Sequence, residues 1–170
     1  MIVALIPLKD GHVLSTEVLL GLTKQTIPIV LLCVSRPRED LVDYPATVGW
    51  VSMTKCRNIL REEALALYPN QKYFLLLNRD VILEHETILE KMIDFLDTNE
   101  EYGCLAVDTR GADTNKLLEE SRHFDIAFMV VRNYILTNVS FDNEKGCNCN
   151  SFCDNVKKLD KQNRIKYYVL

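Results

Sequence analysis

The sequence predicts an α/β fold, with a mostly parallel central sheet flanked by helices, in a single domain of residues 1–170. Three observations carry this reading. The short apolar runs Ile2–Ile6, Ile29–Val34 and Tyr73–Leu77 are unbroken, as in strands buried on both faces. Between them lie stretches whose apolar residues recur at helical spacing. The length of 170 residues is that of one domain and is enough for a self-supporting core.

Each element has a local reason. After the first run, which reaches Pro7, and the polar loop Lys9-Asp10-Gly11-His12, the residues Leu14, Val18, Leu19 and Leu22 line one helical face. Pro28 resets the chain before the second strand, and a charged loop, Ser35 to Asp40, follows. The loop runs on to a short strand expected at Gly49–Ser52. Thr54 is then placed to cap a helix whose apolar face is Ile59, Leu60, Ala64, Leu67 and Tyr68. The third strand stops at Asn78-Arg79-Asp80. Glu84 and Glu86 suit the first turn of the next helix, where carboxylates meet the positive end of the dipole. That helix buries Ile88, Leu89, Met92, Ile93 and Leu96. Strands are expected at Gly103–Asp108, Phe124–Val131 and Ile165–Val169, with a helix through Phe152, Val156 and Leu159 before the last of them.

Composition narrows the function. With 48% hydrophobic and 26% charged residues, the chain is neither disordered nor fibrous. A formal charge of −4 without any Lys/Arg-rich run argues against bulk nucleic-acid binding. Lys24 and Gln25 interrupt the best apolar candidate, Val18 to Val34, so no membrane span is expected. The opening Met1–Pro7 has no basic stretch before it and is too short for a signal core, so a cytoplasmic protein with reduced thiols is expected.

In parallel sheets ligands bind at the carboxyl ends of the strands, where strand order reverses. The loops Lys9–His12, Ser35–Asp40 and Asn78–Asp80 should share that edge. No Gly-x-Gly-x-x-Gly follows the first strand and no Gly-Lys-Ser/Thr occurs, which removes the dinucleotide fingerprint and the P-loop. Only His12, His85 and His123 are available for a triad, and Gly-x-Ser-x-Gly is missing. Asp80 is delivered to the edge by five apolar residues. A lone carboxylate there suits Mg²⁺ or Mn²⁺ otherwise held by water and substrate phosphates, although Asp also simply favours turns.

Order and spacing add a resemblance. Ala4-Leu5-Ile6-Pro7-Leu8-Lys9-Asp10, Cys56-Arg57-Asn58, Phe74–Val81, Ala127–Arg132 and Phe141-Asp142-Asn143-Glu144 fall in the order of the corresponding segments of another group. The chain resembles the nucleotide-sugar glycosyltransferases of GT-A fold, in particular family 2, over nearly its whole length. The resemblance implies that Pro7, Lys9 and Asp10 lie in the segment that contacts the nucleotide. Arg57 and Asn58 would support the base and the metal loop. Asn78 would stand where the family has the first Asp of Asp-x-Asp, facing the ribose. Asp80 would hold Mn²⁺ or Mg²⁺. The implied partners are a UDP- or GDP-sugar donor and an unknown acceptor.

The chain also departs from the pattern. Val34-Ser35-Arg36 replaces the Asp pair that usually ends the second strand, leaving Glu39 or Asp40 as substitutes only if the loop bends back. The family's Glu-Asp base is replaced by Asn148-Cys149-Asn150-Ser151, and the first carboxylate after it is Asp154, the candidate general base. Cys147, Cys149 and Cys153 lack the paired spacing of a structural zinc site and are expected as thiols, a fourth ligand having to come from Cys104 or His123. The leading expectation is a metal-assisted glycosyltransferase. Its competitors are a GT-A-like nucleotide-binding or interaction module without transfer, and a nucleotidyltransferase, for which Lys9-Asp10-Gly11 is a poor phosphate loop.

Overall fold

Strand β1 (Ile2–Leu8) is buried from Ile2 to Pro7 because it lies inside the sheet with helices on both faces. The computed structural model describes residues 1–8, 12–35, 48–107, 126–142, 148–163 and 166–169. After β1 come α1 (Thr16–Thr23), β2 (Ile29–Ser35), α2 (Val48–Leu67), β3 (Tyr73–Leu77) and α3 (Ile88–Thr98). The chain continues through β4 (Tyr102–Ala106), β5 (Phe128–Arg132), α4 (Asn133–Asn138), α5 (Asn148–Asn163) and β6 (Lys166–Val169). The six strands form one sheet in the order β2-β1-β3-β5-β4-β6. β2, β1 and β3 run parallel; β5 is antiparallel to both its neighbours, and β6 pairs parallel with β4.

Alternation along the strands divides the core in two. Val3, Leu5, Phe74, Leu76, Met129 and Val131 point to the layer formed by α2, α4 and α5, with Leu60, Ile135, Phe152 and Val156 among its buried members. Ile2, Ala4, Ile6, Leu75, Leu77 and Val130 point to the α1 and α3 side, against Val18, Leu22, Leu89, Met92 and Leu96. This two-layer covering is why β1 and β3 read as continuous apolar runs rather than alternating ones; β2, expected to be buried in the same way, is instead the edge strand, with Leu31 and Cys33 exposed. Ser15 starts α1 by accepting from Val18 N at 3.3 Å. Gly21 of α1 lies so close to Leu83 that an added Cβ would stand 2.9 Å from its main-chain N and O. No helix among the described residues is long and apolar enough to cross a membrane.

Several expected boundaries move. Gly49–Ser52 is not a strand; it belongs to α2, which begins at Val48. Thr54 is accordingly not a cap but an interior helix residue, buried at 5% exposure. Glu84 and Glu86 precede α3 instead of loading its first turn, which holds Glu90. The carbonyls of His85 and Glu86 serve instead to anchor the end of α1. Gln25, itself buried, donates to His85 O at 2.9 Å, and Thr26 N donates to Glu86 O at 3.0 Å. His85, between Glu84 and Glu86, likewise precedes α3.

Candidate functional site

The chain leaves β1 to build β2 on one side and returns to build β3 on the other, so strand order reverses between β1 and β3. The ladders show where a crevice opens. β1 stays paired with β2 as far as Leu8↔Ser35, but its pairing with β3 runs only through Val3↔Phe74, Ala4↔Leu75 and Leu5↔Leu76. Pro7, which has no N–H to give, lies just beyond that last pair. The carboxyl ends of β1, β2 and β3 therefore share one edge, as do the exit of β4 and the entry of β5, since Leu77 pairs with Phe128. Lys9 and Asp10, like Glu39, Asp40, Cys147 and His123, lie outside the described residues.

Asn78 follows β3 directly and is fixed at three atoms. Its N–H donates to Ala127 O at 2.7 Å, and its carbonyl accepts from Val81 N at 3.3 Å, closing a turn over Asn78–Val81. Its side-chain Oδ1 accepts from Arg57 Nη2 at 2.8 Å. Two residues expected from separate parts of the sequence are thus in direct contact. α2 holds Arg57 at 7% exposure, with its guanidinium carbon 5.8 Å from the centre of the Phe141 ring. Within the same turn Arg79 is half-buried and Asp80 is exposed.

Asn58, the next residue of α2, faces a different partner. Its Nδ2 donates to Phe141 O at 2.8 Å, and its Oδ1 accepts from Phe141 N at 3.0 Å. One amide thereby satisfies both main-chain groups of Phe141, as a neighbouring strand would. Phe141 is buried and stacks on Phe152 with ring centroids 4.8 Å apart. Asp142 is held from α5. Ser151 Oγ donates to Asp142 O at 2.7 Å and Asn155 Nδ2 donates to Asp142 Oδ2 at 3.3 Å. A polar chain therefore runs from the mouth of β3 across α2 to α5. Asp154 lies on α5 between Cys153 and Asn155, 3.8 Å from Lys157 Nζ in an i,i+3 ion pair.

The structure brings Arg57 and Asn78 together, puts Pro7 and Asp80 on the same edge, and turns Asn58 toward Phe141 rather than toward the turn at Asn78. Ser151 and Asn155 are the residues that sequence reasoning did not assign. Their i,i+4 spacing on a polar face is a signal, but only the fold shows that it faces Asp142. Among the described residues no three His, Cys, Asp or Glu side chains gather as a metal site, and the carboxylate of the Asn78–Val81 turn is that of Asp80. One carboxylate fits an Mg²⁺- or Mn²⁺-type ion whose remaining positions are filled by water and substrate phosphates. Cys153 is in the core with Cys104, whose thiol pKa is pushed up by burial and further by Cys153; Cys56 is buried too.

No protein-family model matches the chain, and no curated protein matches it. Solved structures do. A mannosyltransferase from Pyrobaculum calidifontis, solved with GDP-Man and Mn²⁺, superposes with a TM-score of 0.65 at 11% identity over 98% of this chain. The chain spans only 56% of that enzyme's length. A197 from STIV superposes with a TM-score of 0.63 at 13% identity, covering 100% of this chain and 82% of that one. Glucosyl-3-phosphoglycerate synthase from Mycobacterium tuberculosis, solved with Mn²⁺, UDP-Glc and glycerol 3-phosphate, gives 0.57 at 10% identity, over 99% of this chain and 69% of the synthase. With its switch point between β1 and β3 and, among the described strands, β5 alone running antiparallel to its neighbours, the chain has a GT-A-like fold, similar to that of these glycosyltransferases.

Proposed function

We propose that the chain is a glycosyltransferase that takes a UDP- or GDP-sugar at the carboxyl edge between β1 and β3 and passes the sugar to an acceptor hydroxyl. The observation that carries this reading is the Arg57–Asn78 contact, which organises the mouth of the central strand in a GT-A-like fold. Neighbours of that fold were solved with GDP-Man or UDP-Glc together with Mn²⁺.

The roles follow from position. Pro7, Lys9 and Asp10 supply the β1 side of the nucleotide site, and Asn78 the β3 side. Arg57 holds Asn78, and Asn58 holds the main chain of Phe141 so that Asp142 and α5 close the far wall. Asp80, exposed at the turn, is the residue that would hold Mn²⁺ or Mg²⁺; when bound, such an ion neutralises the leaving diphosphate. Asp154 is the base of this reading, taking the proton of the acceptor hydroxyl. The thiols take no part.

One experiment tests the assignment. Calorimetric titration with UDP and GDP, in Mn²⁺ and then in EDTA, is combined with a hydrolysis and transfer assay on the corresponding sugars. Asp80→Asn keeps shape and most hydrogen bonding, so stability should change by no more than about 0.5 kcal/mol. The gain in affinity given by Mn²⁺ should disappear in this variant, and an unchanged gain removes Asp80 from the site. Asp154→Asn should bind nucleotide as the wild type does and lose transfer. Full transfer by that variant places the base elsewhere.

A further inference from the structure

A further step rests on that reading and concerns how the nucleotide is recognised. A guanidinium carries only donors, so the 2.8 Å contact from Arg57 Nη2 determines which way the Asn78 amide faces. Its oxygen is turned to Arg57 and its NH₂ is turned away. The main-chain N–H and carbonyl of Asn78 are already committed to Ala127 and Val81. What remains is Nδ2, which donates to no group among the described residues, on a half-buried side chain at the switch point of the sheet. In the turn itself one cation, half-buried Arg79, stands beside one exposed carboxylate, Asp80. Among the described residues Arg79 pairs with no carboxylate.

We propose that Asn78 is a specificity-determining donor, held by Arg57 so that Nδ2 gives a hydrogen bond to an acceptor oxygen of the nucleoside diphosphate, and that binding of this anion therefore persists without a divalent cation. A carboxylate at the same place would still accept from Arg57, but it would turn an oxygen toward the oxygens of the ligand. It would then need a cation between them.

The substitution that separates the cases is Asn78→Asp, which preserves volume and the Arg57 contact while replacing the outward donor by an acceptor. UDP and GDP are titrated calorimetrically into both proteins in EDTA and in Mn²⁺, with melting temperatures as the folding control. The wild type should bind in EDTA. The variant should bind about tenfold more weakly or worse there and recover most of the loss in Mn²⁺, since a charge-assisted hydrogen bond is replaced by repulsion. Equal affinities in EDTA, or a wild type that binds only in Mn²⁺, overturn the donor role and leave the glycosyltransferase reading intact. A wild type that binds neither nucleotide in either buffer overturns that reading and the donor role with it. If Asp at position 78 lowers the melting temperature, Asn78→Ala removes the donor without adding charge. It should lose affinity in both buffers, and unchanged affinity there also overturns the proposal.

Discussion

At the amino end of β3, Arg132 packs its guanidinium over the Tyr73 ring, 5.4 Å from its centre, and gives its hydrogen bonds mainly to main chain. Nε donates to Tyr102 O at 2.7 Å, Nη1 to Tyr73 Oη at 3.1 Å, and Nη2 to the carbonyls of Leu96 and Asn99. Those last two carbonyls end α3, where helices leave acceptors unsatisfied and favour a positive charge. At the carboxyl end of β3, Arg57 donates to the side-chain amide of Asn78, which has a further group to offer. Both arginines are buried, at 9% and 7% exposure. Burial alone therefore does not separate the two arginines; the acceptors named here do. A guanidinium bonded to carbonyls of fixed secondary structure has its role completed by folding. One bonded to a side chain in a turn orients that side chain, which under the proposed function is the nucleotide-facing one.

The sharpest way to break this comparison is to remove each arginine in turn. Arg132→Met should cost about 3–5 kcal/mol, because several buried acceptors lose their donor at once. That is a large part of the total stability of a domain, and urea denaturation would show it. Nucleotide affinity of the fraction still folded should be unchanged. Arg57→Met should cost less, about 1–3 kcal/mol, and should weaken UDP or GDP binding by about tenfold or more because the Asn78 amide is no longer oriented. Equal stability losses with no change in binding would make Arg57 a second architectural arginine and end the contrast.

The smallest effect is acid-dependent and confined to the Arg132 end. Asp97 accepts from Lys72 and, at 2.7 Å, from Tyr73 Oη. These bonds, that from Lys72 first, hold its carboxyl below the ordinary value of 3.8. The stabilisation is present above pH 3.8 and is lost as the pH falls through the lowered folded-state value. The side chain is 43% exposed, so the loss should be no more than about 0.5 kcal/mol. Stability measured from pH 7 to pH 2 should show this small acid-side component in the wild type and lack it in Asp97→Asn. Nucleotide binding by the two proteins at neutral pH should coincide.

The same contrast explains what the sequence could reveal. β1 and β3 were legible because both of their faces are covered and their residues are apolar without interruption; β2 is equally apolar in sequence but lies at the sheet edge, with Leu31 and Cys33 exposed. The turn at Asn78 was legible because a strand of five apolar residues must end somewhere on the sheet edge. Gly49–Ser52 was misread because Trp50 and Val51 have strand propensity, whereas the residues are the first turns of α2, a helix that packs against β1 and β2. The start of α3 was misread because Glu84 and Glu86 satisfy a dipole argument that applies equally to Glu90. Arg132 gave no signal at all: its partners are 30 to 59 residues away in sequence. Arg57 and Asn78, 21 residues apart, were both named, but only the folded chain shows that one orients the other. Lys9 and Asp10 are not among the described residues, and their part in the site rests on resemblance.

The reversed direction of β5 also has an evolutionary consequence. β4 leaves the sheet after Ala106 and β5 enters it at Phe128 on the edge that carries Asn78. The two ends of the connection between these strands, Ala106 and Phe128, therefore lie on one edge of the sheet, close to the mouth of β3. Doubling the length of a flexible connection closed at those two ends costs only about 0.6 kcal/mol more. Under the proposed function, residues inserted between Ala106 and Phe128 would join the chain on the edge where the sugar is passed on, and the pairing of β1, β2 and β3 would not have to change.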